Sequence, residues 1–417
     1  MASGLASNEL GIAVEDAVAT LCSNSFFPDF VARSPKYRKT AGQEKEAADV
    51  LTVFGNTLIA LQVKTRILPE GIDADLPEVE LARFTRMLGR ALDQFRALME
   101  AWRDPAFGPL LNERGLPLNF KRGEPKRLFL IVVYAVLKPD GKRPEFDLRC
   151  TKTCHSETPI PIHIFSLSEF TALLRMLDTL PDFLLYLETR AALHELNIIP
   201  TLANPLDVWT LATFERARMV AALENKTLLD IDGLMHRHQQ SVAQLEEAEK
   251  PSYLIDWLIH ELHAGSGKTL ALDPQVAGYP GLTEAPGSME AYQRCIPYFA
   301  QLNREERGKL ARELFIRIER SRDGSPSFGG LKFKDHEEGY LVLAAPGPRK
   351  GRHPLMISLG QVLAHRMKLH RVVCIGTGPG EPRDDGCDVL AVEVDLSRPS
   401  GELEGFAAEW FGAPRTE

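Results

Sequence analysis

The sequence predicts an α/β protein: a mixed central sheet flanked by helices, followed by a helical segment and a second, smaller α/β domain. Three observations carry that class. Helical and strand periodicities alternate through residues 1–200. The stretch NIIPTLANPLD (197–207) then breaks the pattern, and mostly helical spacing follows it. A second alternation of helices and strands fills 289–417. At 417 residues the chain is too long for one ordinary core, so domains are expected at 1–200 and 289–417, with helices and a connector over 201–288.

The elements follow in order. NELGIAVEDAVATLC (8–22) places Leu10, Val14, Ala17, Val18 and Leu21 at helical spacing. FFPDFVARSPKYRK (26–39) reads as extended chain, and TAGQEKEAA (40–48) as a polar linker. ADVLTVFGNTLIALQVK (48–64) is two apolar runs around Gly55-Asn56, a two-residue hairpin signal that calls for positive φ. Residues 77–102 form a long amphipathic helix with Pro77 in its first turn. LFLIVVYAVL (128–137) reads as a buried strand and IPIHIF (160–165) as another short strand. Two helices follow, SLSEFTALLRML capped by Ser166 or Ser168, and LPDFLLYLETRAALHEL. Beyond 207 the chain is mostly helical to 262, and 264–288 is a turn-rich connector. The last part reads as helices at 289–302 and 304–321, strands within 328–345, a helix at about 353–369, strands RVVCIG and CDVLAVEVD, and a closing helix.

Composition narrows the function classes. Hydrophobic residues at 44% and charged residues at 25% match a globular protein. The longest uncharged apolar run is ten residues, too short to cross a bilayer, and no basic-then-apolar leader opens the chain, so no membrane partner is expected. Six scattered cysteines suit a reducing cytoplasm better than a disulfide framework. A net charge of −8 gives no general attraction to nucleic acid. Positive charge does cluster locally, in RSPKYRK (33–39) and KRGEPKR (121–127). Arg33, Lys36, Arg38 and Lys39 are candidate phosphate contacts; a solvated loop is the plainer reading.

The hairpin holds the sharpest signal. A two-residue turn at 55–56 makes paired residues sum to 111, so Asp49 falls opposite Gln62. Lys64 lies two residues beyond Gln62 on the same face. A carboxylate, an amide and an ammonium therefore converge at one end of a hairpin that is apolar on both faces, as central strands are. The plain alternative is a hairpin whose polar ends simply reach solvent.

Asp49…Gln62-Val63-Lys64 resembles the D…(E/Q)xK signature of the PD-(D/E)XK, or restriction-endonuclease-like, nuclease superfamily, in its Gln-bearing Mrr-type form. That family also carries a glutamate on its first core helix, and GIAVEDAV offers Glu15. The resemblance covers residues 1 to about 195 as an element order and rests on four specific residues. It implies a restriction-endonuclease-like fold and Mg2+- or Mn2+-dependent hydrolysis of phosphodiester bonds. Asp49, Glu15, the Gln62 amide oxygen and the Val63 carbonyl would be the metal ligands, with Lys64 beside the attacking water. It implies double-stranded DNA as first substrate, with RNA not excluded. Restriction or anti-phage defence follows by association, with a homodimer or a defence-system protein as partner. The competing class is a degenerate nuclease fold kept as a binding or scaffold module.

Other motifs fall short. GSGKT (265–269) has Leu262 where a phosphate-binding loop needs glycine, and it follows a helix. HELHA (260–264) has Ala264 where a zinc-protease helix needs its second histidine. GTGPGEPRDDG (376–386) reads as a loop because Pro382 and its acids interrupt it. CTKTCH (150–155) with His163 matches no common zinc spacing. HRH (236–238) reads as helix surface.

Overall fold

The computed structural model describes residues 2–38, 44–67, 77–102, 110–112, 115, 117–118, 127–137, 161–200, 203–264, 270–272, 289–380, 382, 386–394 and 396. It divides into two compact units, Met1–Ala243 and Gln244–Glu417. Both are α/β, each built on a mixed five-stranded sheet with flanking helices.

The first unit runs α1 (Ala2–Phe26), β1 (Val31–Arg33), β2 (Lys36–Arg38), β3 (Glu44–Glu46), β4 (Val50–Phe54), β5 (Thr57–Ile67), α2 (Pro77–Trp102), β6 (Arg127–Leu137), β7 (Ile162–Ser166), α3 (Leu167–Met176) and α4 (Leu180–Glu195). Its sheet order is β1-β4-β5-β6-β7, with β5 in the middle. The β1/β4 and β4/β5 pairs are antiparallel, and β5/β6 and β6/β7 are parallel. Only a crossover can join parallel neighbours, and α2 supplies it between β5 and β6.

Side-chain alternation sorts the sheet into two faces. On one, Leu51, Val53, Leu58, Ala60, Leu130, Val132, Ile162 and Ile164 pack with Leu88, Ala91, Leu92, Phe95 and Leu98 of α2. On the other, Phe165 of β7 meets Phe170 of α3, which meets Phe183 of α4, which in turn meets Phe26 of α1. With both faces covered, β6 can be apolar throughout, which explains the unbroken run at 128–137. Ser166, not Ser168, caps α3. Its Oγ accepts the Glu169 N–H at 3.2 Å, and the Glu169 carboxylate accepts the Ser166 N–H at 2.8 Å.

Three details differ from the sequence reading. The linker at 40–48 contains β3, which pairs with β2 as a separate two-stranded ribbon, Lys36 opposite Glu46. The helices α5 (Pro205–Phe214), α6 (Arg216–Asn225) and α7 (Leu234–Arg237) belong to the first unit, and the division falls inside α8 (Gln239–Glu249) rather than at 200 and 288. Hydrogen bonds explain this: Tyr186 Oη donates to the Pro205 carbonyl at 3.1 Å, and the Leu229 N–H donates to Ile198 O at 2.7 Å. Buried Asp207 also takes the N–H groups of Gly233 and Met235, starting α7 against α5.

The connector, thirdly, supplies an edge strand. The second unit comprises α9 (Tyr253–Ala264), β8 (Leu270–Leu272), α10 (Met289–Ala300), α11 (Arg304–Ser321), β9 (Ser327–Lys332), β10 (Gly339–Ala344), α12 (Arg349–Met367), β11 (Arg371–Thr377) and β12 (Cys387–Glu393). Sheet order is β8-β12-β11-β10-β9, and β8 runs parallel to β12. The β10–α12–β11 segment is a parallel crossover, with Met356, Leu359 and Leu363 of α12 on Leu341, Leu343 and Cys374. Helix α9 joins α11 through Asp256, whose carboxylate pairs with buried Arg304 and Arg307. The expected closing helix lies outside the described residues. Among the described residues no helix is long and apolar enough to cross a membrane. Cys22, Cys295, Cys374 and Cys387 are buried.

Candidate active site at the end of the central strand

The β4/β5 register pairs Val50 with Leu61 and Phe54 with Thr57, so every pair sums to 111. Gly55 turns the chain at φ +57°, and Asn56 does not share that conformation, the pattern of a turn with glycine first. Strand β5 outlasts its partner. Beyond Leu61 it pairs, among the described residues, only with β6, and no described strand covers its other edge at Gln62–Ile67.

Asp49 fills the start of that gap. Its Oδ2 accepts the Val63 backbone N–H at 2.5 Å, satisfying a donor that β4 is too short to reach. The same oxygen lies 3.4 Å from Lys64 Nζ, and Lys64 Nζ donates to Gln62 Oε1 at 2.9 Å. Asp49 is 7% and Gln62 1% exposed, so this polar cluster sits in the sheet rather than at a solvated rim. The Asp49 carbonyl accepts the Ser34 N–H at 2.9 Å, fixing its backbone as well. Ser34 holds a strained left-handed φ of 42° there, and its side chain also bonds Glu46.

Glu15 comes from α1, half-buried. Burial, then the charges of Asp49 and Glu46, hold its carboxyl above the usual carboxylate range, against Lys64 and Arg33, which lower it. Glu46 behaves alike: burial and Asp49 raise it, while the Ser34 hydrogen bond, Lys64 and Lys36 lower it. The four sequence-picked residues Glu15, Asp49, Gln62 and Lys64 thus share one electrostatic neighbourhood. Glu46 is the member that sequence reasoning missed. Its signal was an acid three residues before Asp49, in a stretch taken for linker.

The basic cluster divides. Arg33 is exposed and ion-paired to Asp16 of α1. Lys36 is exposed opposite Glu46, and Arg38 stands opposite Glu44 in the ribbon. Lys39 lies outside the described residues. In the second cluster Arg127 is bonded to Glu188 at 2.6 Å.

No family model, curated protein or solved structure matches this chain. The site is therefore read from its own geometry.

A hard divalent cation asks for one or two carboxylates, further oxygens and water. Among the described residues no group of three His, Cys, Asp or Glu is arranged around a metal position. The donors that do fit are Asp49 Oδ1, to which no described residue donates a hydrogen bond, and the Glu15 carboxylate, penalised by its neighbouring negative charges. The Val63 carbonyl fits as well, because N–H and C=O of one extended residue face the same strand edge and the N–H meets Asp49. Gln62 Oε1 is engaged by Lys64, so here it holds the ammonium.

GSGKT and CTKTCH lie outside the described residues. His163 is buried, and burial with Arg190 and His194 nearby keeps its imidazole neutral. His238 bonds Glu215 at 3.0 Å and stacks on Phe214. The 376–386 stretch joins β11 to the antiparallel β12 and opens no long helix.

Proposed function

We propose that the chain is a metal-dependent nuclease of restriction-endonuclease-like fold, hydrolysing phosphodiester bonds of double-stranded DNA. One observation carries this: Asp49, Gln62 and Lys64 are joined by hydrogen bonds at the open end of the central strand, with Glu15 of α1 in the same field. Burying carboxylates together costs desolvation and like-charge repulsion, and carboxylates perturbed in this way concentrate at functional sites.

Mg2+ or Mn2+ would supply Lewis-acid stabilisation of the phosphate and acidify a bound water. Asp49 and Glu15 would hold the cation, with the Val63 carbonyl beside them. The Val63 N–H fixes one Asp49 oxygen and thereby aims the other. Lys64 has three N–H donors; Asp49 and Gln62 face two of them. The third is left to donate to a phosphate oxygen or to orient the attacking water, and the ammonium offsets charge on the phosphate.

Purified full chain would be incubated with plasmid, linear duplex, single-stranded DNA and RNA, each with Mg2+, Mn2+ or EDTA. Cleavage of duplex DNA with metal and none in EDTA is expected. Preferential cleavage of RNA would reassign the substrate. Cleavage surviving EDTA, or none under any condition, would overturn the proposal.

A further inference from the structure

The central strand does not stop at Lys64. β5 continues through Thr65 and Arg66 to Ile67, paired on one side with Ala135, Val136 and Leu137 of β6. Gln62 and Val63 are buried, whereas Lys64, Thr65 and Arg66 are each partly exposed. The strand therefore leaves the core and meets solvent just where the hairpin cluster ends. No described strand covers its second edge there.

Backbone alternation decides which groups face that edge. The Val63 N–H meets Asp49, on the side where β4 lies. The Asn56 carbonyl turns the other way and accepts the Arg127 N–H of β6 at 3.3 Å. Odd-numbered residues of β5 thus direct both N–H and C=O to the uncovered edge, and even-numbered ones direct theirs to β6. Thr65 is the next odd residue after Val63. Its N–H points off the sheet, next to the Val63 carbonyl along that edge, and no described residue accepts from it. Side chains alternate between faces in the same way, so Arg66 stands on the face of Gln62 and Lys64. Two residues advance a strand by about 7 Å, which sets Arg66 one step beyond Lys64.

We infer, on the nuclease reading of the hairpin cluster, that the end of β5 grips the substrate strand beside the scissile phosphate. Thr65 donates its backbone N–H to the neighbouring phosphate, and Arg66 adds a second positive charge along the same line. Lys64 is held at the cation position by Asp49 and Gln62, so it acts on the phosphate that is cut. One strand step further, a backbone donor and a guanidinium meet the next phosphate. Backbone N–H groups and arginines commonly bind phosphates in this way, fixing register without reading sequence. The contact is the same before and during bond cleavage, so it strengthens binding rather than chemistry.

The test is steady-state cleavage of a fluorescein-labelled DNA duplex by the full chain with Mg2+, over a series of KCl concentrations. Thr65→Pro deletes the N–H without breaking a β5/β6 bond, because that donor faces away from β6, and proline is tolerated where a strand's N–H faces outward. It should raise KM about tenfold, the worth of a hydrogen bond to a charged group, and change kcat less than about threefold. Arg66→Gln should raise KM similarly and reduce its salt slope by about one, and Arg66→Lys should restore the slope. Urea melts establish that each variant is folded, and Arg66→Gln keeps the test decisive if Thr65→Pro is not. Wild-type KM and salt slope in folded Thr65→Pro and Arg66→Gln would overturn the inference while the nuclease reading stands. A loss confined to kcat would overturn it too. A wild type that cleaves nothing under any condition would remove both.

Discussion

Replacing Asp49 by asparagine separates chemistry from folding at the hairpin site. The wild-type carboxylate accepts the Val63 N–H at 2.5 Å and faces Lys64 Nζ at 3.4 Å. Alanine would strand the buried Val63 donor, which costs about 1–3 kcal/mol, and would remove a counter-charge too. Asparagine keeps an oxygen for Val63 and loses only the charge assistance, a difference of about 1 kcal/mol. A domain stable by roughly 5 kcal/mol or more stays over 99% folded after that loss. Cleavage behaves differently, because the proposed cation loses a formal charge among its ligands. Loss of one charge-stabilising group typically costs about 10²–10³-fold, or about 3–4 kcal/mol of barrier. The assay is initial rate of plasmid nicking against Mg2+ concentration, at equal folded protein established by circular dichroism and urea melting. Asp49→Asn should be folded, nearly as stable as wild type, and slowed by that factor. A folded Asp49→Asn that cleaves within about threefold of wild type would refute the ligand role.

Gln62→Ala should release Lys64 Nζ from its 2.9 Å bond and lower the cleavage rate more than the Mg2+ affinity; an unchanged rate would remove Gln62 from the site. A fragment of residues 1–243 should fold alone, whereas 1–200 should be less stable, because it loses the partners of Tyr186 Oη and Ile198 O; urea midpoints of the two fragments decide it. In the second unit, hydrogen bonds to Glu306 and Glu338 raise the half-buried His336 from 6.5 to about 9. A raised histidine stabilises the fold fully below its unfolded pKa and loses that contribution as pH climbs through the folded value. Stability should therefore fall by about 3 kcal/mol from below pH 6.5 to above pH 9, and His336→Gln should flatten that fall in urea melts.

The hairpin site was legible because its information is local. A two-residue turn fixes the register by counting, and period-two alternation fixes the face, so Asp49, Gln62 and Lys64 could be brought together on paper. The bond between Lys64 and Gln62 was not legible, since rotamers of two long side chains decide it. β3 was missed for a different reason. QEKEAA has no apolar alternation because the β2/β3 ribbon lies outside the five-stranded sheet. The unit boundary depended on hydrogen bonds between distant residues, such as Asp207 with Gly233 and Met235, which no composition shift announces.

Under the proposed function, the amide at 62 has a reason that the commoner glutamate would undercut. Position 62 is 1% exposed, and burial, with the charge of Asp49 next, already holds Glu15 and Glu46 above the ordinary carboxylate range. A further carboxylate there would be desolvated beside like charge and would push those groups higher still. It would also form an ion pair with Lys64, occupying the charge that the substrate phosphate needs. The amide accepts the same 2.9 Å hydrogen bond without adding charge. Asp49 and Glu15 then match the two charges of one divalent cation, and the Lys64 ammonium stays available to the phosphate. Gln62 is in this sense a holder of Lys64, placed where neutrality matters more than donor strength.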